Sequence, residues 1–507
     1  MTRLRLAVGV LLLMFATAAT PFGSATPTAA ELKSYTVVLA GDLTGDGFAL
    51  AGTKEAALGL VTLAGGTITQ DISSQIGVLG VTSANPLFAD LLRASPLVEE
   101  AAEEFVWKAF PSYEEAVESG QLVVVGPEDV PGGGPDPQVD VLEALQWNME
   151  LIRAPQAHAH QAGARAVEVG ILDTGIDGAH ADFVDLDGSN VNCLKGRDFI
   201  PAGPGAGSPV PCVDNNFHGT HVAGIVAARK NVHGVIGVAP NVSLVPVKVC
   251  DAAGYCYSNS TAAGITYAGD AKLEVINMSF FVDDDQLLES TEFKCATDPQ
   301  HRAFRHANER AIAYARNQGV VPVAALGNSD VDLAHPPAGN ECEVVPAETQ
   351  GVIGTMALGP TSEKASYSNY GFGMTDVAAP GGNSRNPNGE IPGPCGTQVL
   401  STIPGNVWGC FQGTSMASPH TAGVSALIVS QFGRLSGGDV VIMRPQEVES
   451  YLQSTTIDLV AVDGSLRGYD GCFGNGRIDA LKAVLHDTKV AREPVPAPIA
   501  NGCPTFR

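Results

Sequence analysis

The sequence predicts an α/β fold: a mostly parallel sheet with helices on both faces, preceded by a small α+β domain of ferredoxin-like order. Three observations predict it. Across residues 141–487, apolar strand candidates alternate with helical stretches at Val167–Leu172, Leu244–Val249, Val275–Met278, Val320–Ala325 and Val352–Met356. That alternation calls for parallel strands joined by helical crossovers. Residues 31–125 follow a different order, βαββαβ, which a split antiparallel sheet satisfies. Between the two lies Val130–Gln138 (VPGGGPDPQ), too dense in breakers for regular structure.

In the first region, Ser34–Ala40 reads as a strand by its β-branched residues. Thr53–Leu63 and Pro86–Ala94 have helical composition or periodicity, and Thr67–Ile72 and Gly77–Thr82 read as strands. Val98–Trp107 reads equally as a strand or a helix because of Glu99, Glu100, Glu103 and Glu104. The organisation is therefore 1–30 export signal, 31–125 first domain, 126–140 linker, 141–487 main domain and 488–507 tail. Arg3 and Arg5 before the apolar run Leu6–Ala19 carry the export reading, with cleavage after Ala25 or Ala30 and an extracellular destination. The run is short for a membrane span.

The chain has 507 residues and a formal charge of −25. A nucleic-acid partner wants a basic surface, so that class is excluded. Ten cysteines, none before Cys193, suit an oxidising compartment. Their pairing does not follow from sequence; joining neighbours in order, 193–212, 250–256, 295–342, 395–410 and 472–503, is the simplest arrangement.

Four positions carry chemistry. Asp173 ends an apolar strand, where open α/β sheets place their sites. His218 opens HGTHVAG at a helix start, fit for a general base; with His221 it also has metal-pair spacing, but no third ligand is nearby. Ser415, in GTSMASPH, precedes an apolar helix whose N-terminus favours developing negative charge. Asn328 closes a strand-to-turn segment with a side-chain amide. Each alone has a plainer reading: a turn aspartate, a core histidine, a serine N-cap, a left-handed turn asparagine.

Together the segments DTGID (Asp173–Asp177), HGTHVAG (His218–Gly224), VINMS (Val275–Ser279), ALGN (Ala325–Asn328) and GTSMASPH (Gly413–His420) resemble the subtilisin family of serine proteases, in that family's order Asp, His, Ser. The resemblance covers roughly residues 143–484. It implies a secreted serine endopeptidase acting on protein or peptide substrates through an acyl-enzyme. Asp173 would orient, His218 act as base, Ser415 attack and Asn328 bind the oxyanion. The first domain would be an inhibitory propeptide, self-cleaved between Phe110 and Gln146. Alternatives are a narrow-specificity processing protease and a non-catalytic scaffold. No cofactor is implied for catalysis, but a structural calcium ion is, at Glu143, Asp182 and Asn231. Ser279, Phe280 and Phe281 would line the substrate cleft. Phe281 stands where relatives carry glycine, and Asp283, Asp284 and Asp285 follow it.

Overall fold

The computed structural model describes residues 31–44, 47–50, 54–126, 140–201, 211–282, 295, 297–336, 340, 342–385, 393–436, 440–461 and 466–495. The expected export signal, Asp283–Asp285 and Cys503 lie outside them, as does most of the linker.

The N-terminal unit runs β1 (Lys33–Leu39), β2 (Gly41–Thr44), β3 (Gly47–Leu50), α1 (Lys54–Leu63), β4 (Gly66–Ile72), β5 (Val78–Ser83), α2 (Phe88–Arg93) and β6 (Val98–Glu103). Its sheet has the order β4-β5-β1-β6, antiparallel throughout. The β2–β3 hairpin is an insertion that the sequence reading did not separate. Val98–Glu103 resolves as strand, paired with β1, because Val98 and Ala101 join the core beneath the sheet while Glu99 and Glu103 stay exposed; a register shift opposite Val38 and Leu39 breaks the simple alternation. One face of the sheet closes over α1 and α2 through Tyr35, Val37, Leu79, Val81 and Phe88. The chain continues through β7 (Val106–Lys108), α3 (Tyr113–Glu118) and β8 (Val123–Val125).

The main unit is built on β9 (Glu168–Asp173), β10 (Arg197–Asp198), α4 (His218–Ala227), β11 (Ser243–Lys248), β12 (Tyr255–Tyr257), α5 (Ser258–Asp270), β13 (Val275–Met278), α6 (Pro299–Asn317), β14 (Val321–Ala325), β15 (Ile353–Leu358) and β16 (Val377–Pro380). Seven strands form one parallel sheet ordered β10-β11-β9-β13-β14-β15-β16. Side chains alternate across it, as a two-residue period requires. Val169, Ile171, Val275 and Val323 join α4 and α7 (Thr414–Phe432) in one core. Leu172, Val247, Ile276 and Met278 join α5 and α6 in the other, which Val38 and Val78 of the N-terminal sheet also enter. Two edge strands, β10 and β16, were not expected; β10 is too short to show a pattern.

Strands β17 (Val399–Ile403) and β18 (Val407–Phe411) form an antiparallel pair, and β8 adds to β18 as a third strand. Near the C-terminus, β19 (Ile457–Ala461) pairs in parallel with β20 (Ala491–Val495), which lies inside the expected tail. Disulfides join 193–212, 250–256, 295–342 and 395–410.

Candidate active site

The order of strand addition reverses at β9: its parallel neighbours β11 and β13 lie on opposite sides of it. Such a switch point leaves a crevice at the carboxyl ends of the strands. Asp173 is the last residue of β9 and is fully buried. His218 is the first residue of α4, and its Nδ1 lies 2.9 and 3.0 Å from the two Asp173 oxygens. A nitrogen held between two carboxylate oxygens is the protonated one. The neutral ring's basic nitrogen is then Nε2, which has no hydrogen-bond partner.

What brings these residues together is close backbone packing. A side chain on Gly219 would place its Cβ 2.1 Å from the Gly175 carbonyl oxygen, so α4 can meet the turn after Asp173 only through glycine. Asp214, which the sequence reading passed over, ties the same junction. Its carboxylate accepts from Thr174 Oγ1 (2.9 Å), Asn216 N (3.0 Å), Thr220 N (2.9 Å) and Thr220 Oγ1 (2.7 Å). Thr174 Oγ1 in turn accepts from Gly219 N at 2.9 Å. Burial pushes the Asp214 carboxyl upward, and these donors oppose it. Its position four residues before His218 was the available signal.

Ser415 is the second residue of α7 and nearly buried. Its Oγ donates to the Ser279 carbonyl at 2.9 Å, while Ser279 Oγ donates to the Ser415 carbonyl at 2.8 Å. Asn277 Nδ2 donates to Ser279 Oγ, and Ser418 Oγ donates to Asn277 Oδ1. The end of β13 and the first turn of α7 are thus stapled side by side. Asn328 Oδ1 accepts from both Thr414 N and Thr414 Oγ1 at 2.9 Å. A backbone N–H can only donate, so the amide orientation is set, with Oδ1 on Thr414. His221 is no metal partner of His218: its Nε2 faces the Gly409 carbonyl at 3.0 Å, and burial pushes it down to about 3.

Of the cleft residues, Phe280 is buried with its ring 6.2 Å from that of Trp107. Phe281 is half-buried against the same core. The N-terminal segment occupies the crevice itself. β7 pairs antiparallel with β12, with Cys256 opposite Trp107, and the Phe110 ring stacks on His218 at 3.7 Å and 19°. Asn216 Nδ2 then donates to the Pro111 carbonyl at 3.0 Å. Nothing in the sequence pattern singled out Phe110.

The calcium expectation meets a different arrangement. Asp182 Oδ1 accepts from Gly234 N (3.0 Å); Oδ2 accepts from Val235 N (3.0 Å) and Trp408 Nε1 (2.6 Å). Asn231 Nδ2 donates to the carbonyls of Ala181 (2.9 Å) and Val184 (2.8 Å). A calcium ion needs oxygen lone pairs, and here N–H groups already use them. Glu143 Oε2 is buried without a partner, but among the described residues no group of three or more His, Cys, Asp or Glu is placed to hold a metal. Glu143, Asp182 and Asn231 therefore do not fit the ion; the Trp408 indole and the Asn231 amide supply the positive ends instead.

Comparison with known proteins shows the family. The subtilase family model matches residues 164–476. The M-protease of Shouchella clausii (strain KSM-K16) is 33% identical over 415 residues, 76% of this chain and 89% of that protein. Subtilisin Savinase of Lederbergia lenta is 31% identical over 344 residues, 67% and 99% respectively. The solved epidermin leader peptide processing serine protease of Staphylococcus aureus shares the fold, with a TM-score of 0.66 at 19% identity over 91% of this chain and 100% of that one. A lanthipeptide protease aligns with a TM-score of 0.55 at 22% identity, over 68% and 95%. The chain belongs to the subtilase family and is a serine endopeptidase, a hydrolase of peptide bonds in protein or peptide substrates.

Proposed function

We propose that this subtilase is an exported endopeptidase made as a self-inhibited precursor, with Asp173, His218 and Ser415 as its triad and Asn328 as oxyanion donor. The observation that carries the reading is the Asp173–His218 pair, with both carboxylate oxygens on Nδ1 at 2.9 and 3.0 Å. His218 Nε2 takes the Ser415 proton as Oγ attacks the peptide carbonyl. Asp173 stabilises the imidazolium without taking the proton. To reach Nε2, the Ser415 hydroxyl leaves the Ser279 carbonyl, which is then open to a substrate N–H. Asn328 Nδ2 and the Ser415 N–H receive the oxyanion at the N-terminus of α7. His218 returns the proton to the leaving amine, and water repeats the cycle on the acyl-enzyme. Export rests on the basic-then-apolar start of the sequence.

Latency is supported by residues 105–111, which run along β12 and over His218. The N-terminal unit also holds the main unit through Glu104: Oε1 accepts from Asn259 N at 3.1 Å, at the start of α5, and Oε2 from Ser34 Oγ at 2.6 Å. Narrow, processing-type specificity is a second reading. It is favoured by Phe280, whose ring lies 6.2 Å from that of Trp107 in the segment covering the crevice.

The test is Ser415→Ala in the full chain. We expect no peptide hydrolysis, no labelling by a fluorophosphonate, and accumulation of uncleaved precursor. Normal maturation of this variant, read by N-terminal sequencing, would assign processing to another protease; residual labelling would assign the nucleophile elsewhere.

A further inference from the structure

The loop between β11 and β12 is short, and it connects the two halves of the proposed machinery. At one end, Val249 N and Cys250 N donate to the Asp173 carbonyl oxygen at 2.9 and 3.2 Å. At the other end, β12 receives β7, and the Gly254 carbonyl accepts from Ala109 N (2.9 Å) and Phe110 N (3.3 Å). Cys250 and Cys256 close this loop by a disulfide, and both are fully buried. Inside the loop, Asp251 Oδ1 accepts from Ala253 N (3.0 Å) and Tyr255 N (2.9 Å), and Oδ2 from Tyr257 Oη (2.8 Å). Gly254 has φ +86°, and a Cβ there would lie 2.1 Å from the Phe110 carbonyl oxygen, so the guest backbone approaches as closely as glycine allows.

We propose that the Cys250–Cys256 disulfide, with the Asp251 carboxylate, is a positioning clamp that holds β12 ready for an extended peptide. The clamp sets affinity for the part of a substrate on the acyl side of the cut bond. The chemistry is that of preorganisation. An edge strand of three residues has little structure of its own, and a strand ordered only on binding loses affinity to conformational entropy. The covalent loop removes that cost in advance and ties the strand to the backbone of Asp173, so the peptide arrives in register with His218. Residues before Phe110 lie on β12 while Phe110 lies on His218, which identifies the acyl side as the one served. The inference rests on the reading of this crevice as the substrate cleft.

The experiment compares mature enzyme with the Cys250→Ala/Cys256→Ala double variant. One substrate is a peptide amide with five residues before the cut bond. The other is a single-residue ester that cannot reach β12. For the peptide we expect KM to rise about tenfold or more, with kcat changed less than about threefold; the ester's kcat/KM should stay within about twofold. Equal losses on both substrates, or no change on either, would overturn the clamp. Asp251→Asn keeps the disulfide and guards against misfolding of the double variant; it should give the same split at smaller size. Failure of the cleft reading looks different: wild-type enzyme would then hydrolyse the five-residue amide no better than a single-residue amide with the same leaving group.

Discussion

Replacing Phe110 by alanine tests how the precursor is kept silent. Phe110 is 5% exposed, its ring lies 3.7 Å from the His218 ring, and it belongs to the same core cluster as Val249, Cys250 and Cys256. Burying a phenylalanine side chain is worth about 1.5–3 kcal/mol, and an aromatic stack adds roughly 0.5–1.5 kcal/mol. Loss of both raises the population of the uncovered state by roughly 30- to 1,500-fold, at about 1.4 kcal/mol per factor of ten. The residual pairing of β7 on β12 keeps the segment in place, so the effect is local opening rather than release. The assay is fluorophosphonate labelling of the full-length band before processing, because the reagent needs the activated Ser415 hydroxyl. We expect the labelling rate of Phe110→Ala to exceed that of wild type by at least an order of magnitude. Equal rates would refute the reasoning and locate inhibition in β7 pairing or in the Glu104 contacts.

Other predictions concern stability. A calcium chelator should leave the melting temperature unchanged, because protein N–H groups satisfy Asp182; a fall on chelation would reinstate the ion. Trp408→Phe deprives Asp182 Oδ2 of its indole donor and should cost about 1–3 kcal/mol in denaturant unfolding. Glu274 is held up at about 7, first by burial. A carboxyl raised on folding favours the protonated native state, so its contribution is intact below the unfolded value of about 4.3 and is lost as pH climbs through the folded value. Glu274→Gln, in the Ser415→Ala background to stop autolysis, should therefore gain about 2 kcal/mol at pH 8 and nothing at pH 4. A pH-independent effect would mean that packing rather than charge is at stake.

The parallel sheet was legible because strands buried on both faces must be continuous runs of apolar and β-branched residues, as at Val167–Leu172 and Val275–Met278. The N-terminal order was legible for the same local reason, except at Val98–Glu103, where four glutamates left strand and helix balanced until Val98 and Ala101 found a core. The chemistry of Asp173, His218, Ser415 and Asn328 was legible because these residue types fall at strand ends and helix starts in short motifs.

The structure decided what depends on residues far apart in sequence. No local pattern tells that Phe110 covers His218, that Val123–Val125 completes a sheet with β18, or that Trp408 donates to Asp182 across 226 positions. The calcium expectation shows the difference most clearly. Oxygen side chains at Glu143, Asp182 and Asn231 suit a cation by composition, yet hydrogen bonds from Gly234, Val235 and Trp408 already occupy the Asp182 carboxylate. By itself, the sequence determined the succession of elements and the chemical identity of the site, because propensity and motif spacing are local. Only the tertiary structure decided which groups neutralise one another and which segment lies in the crevice, because those outcomes depend on burial and distance in three dimensions.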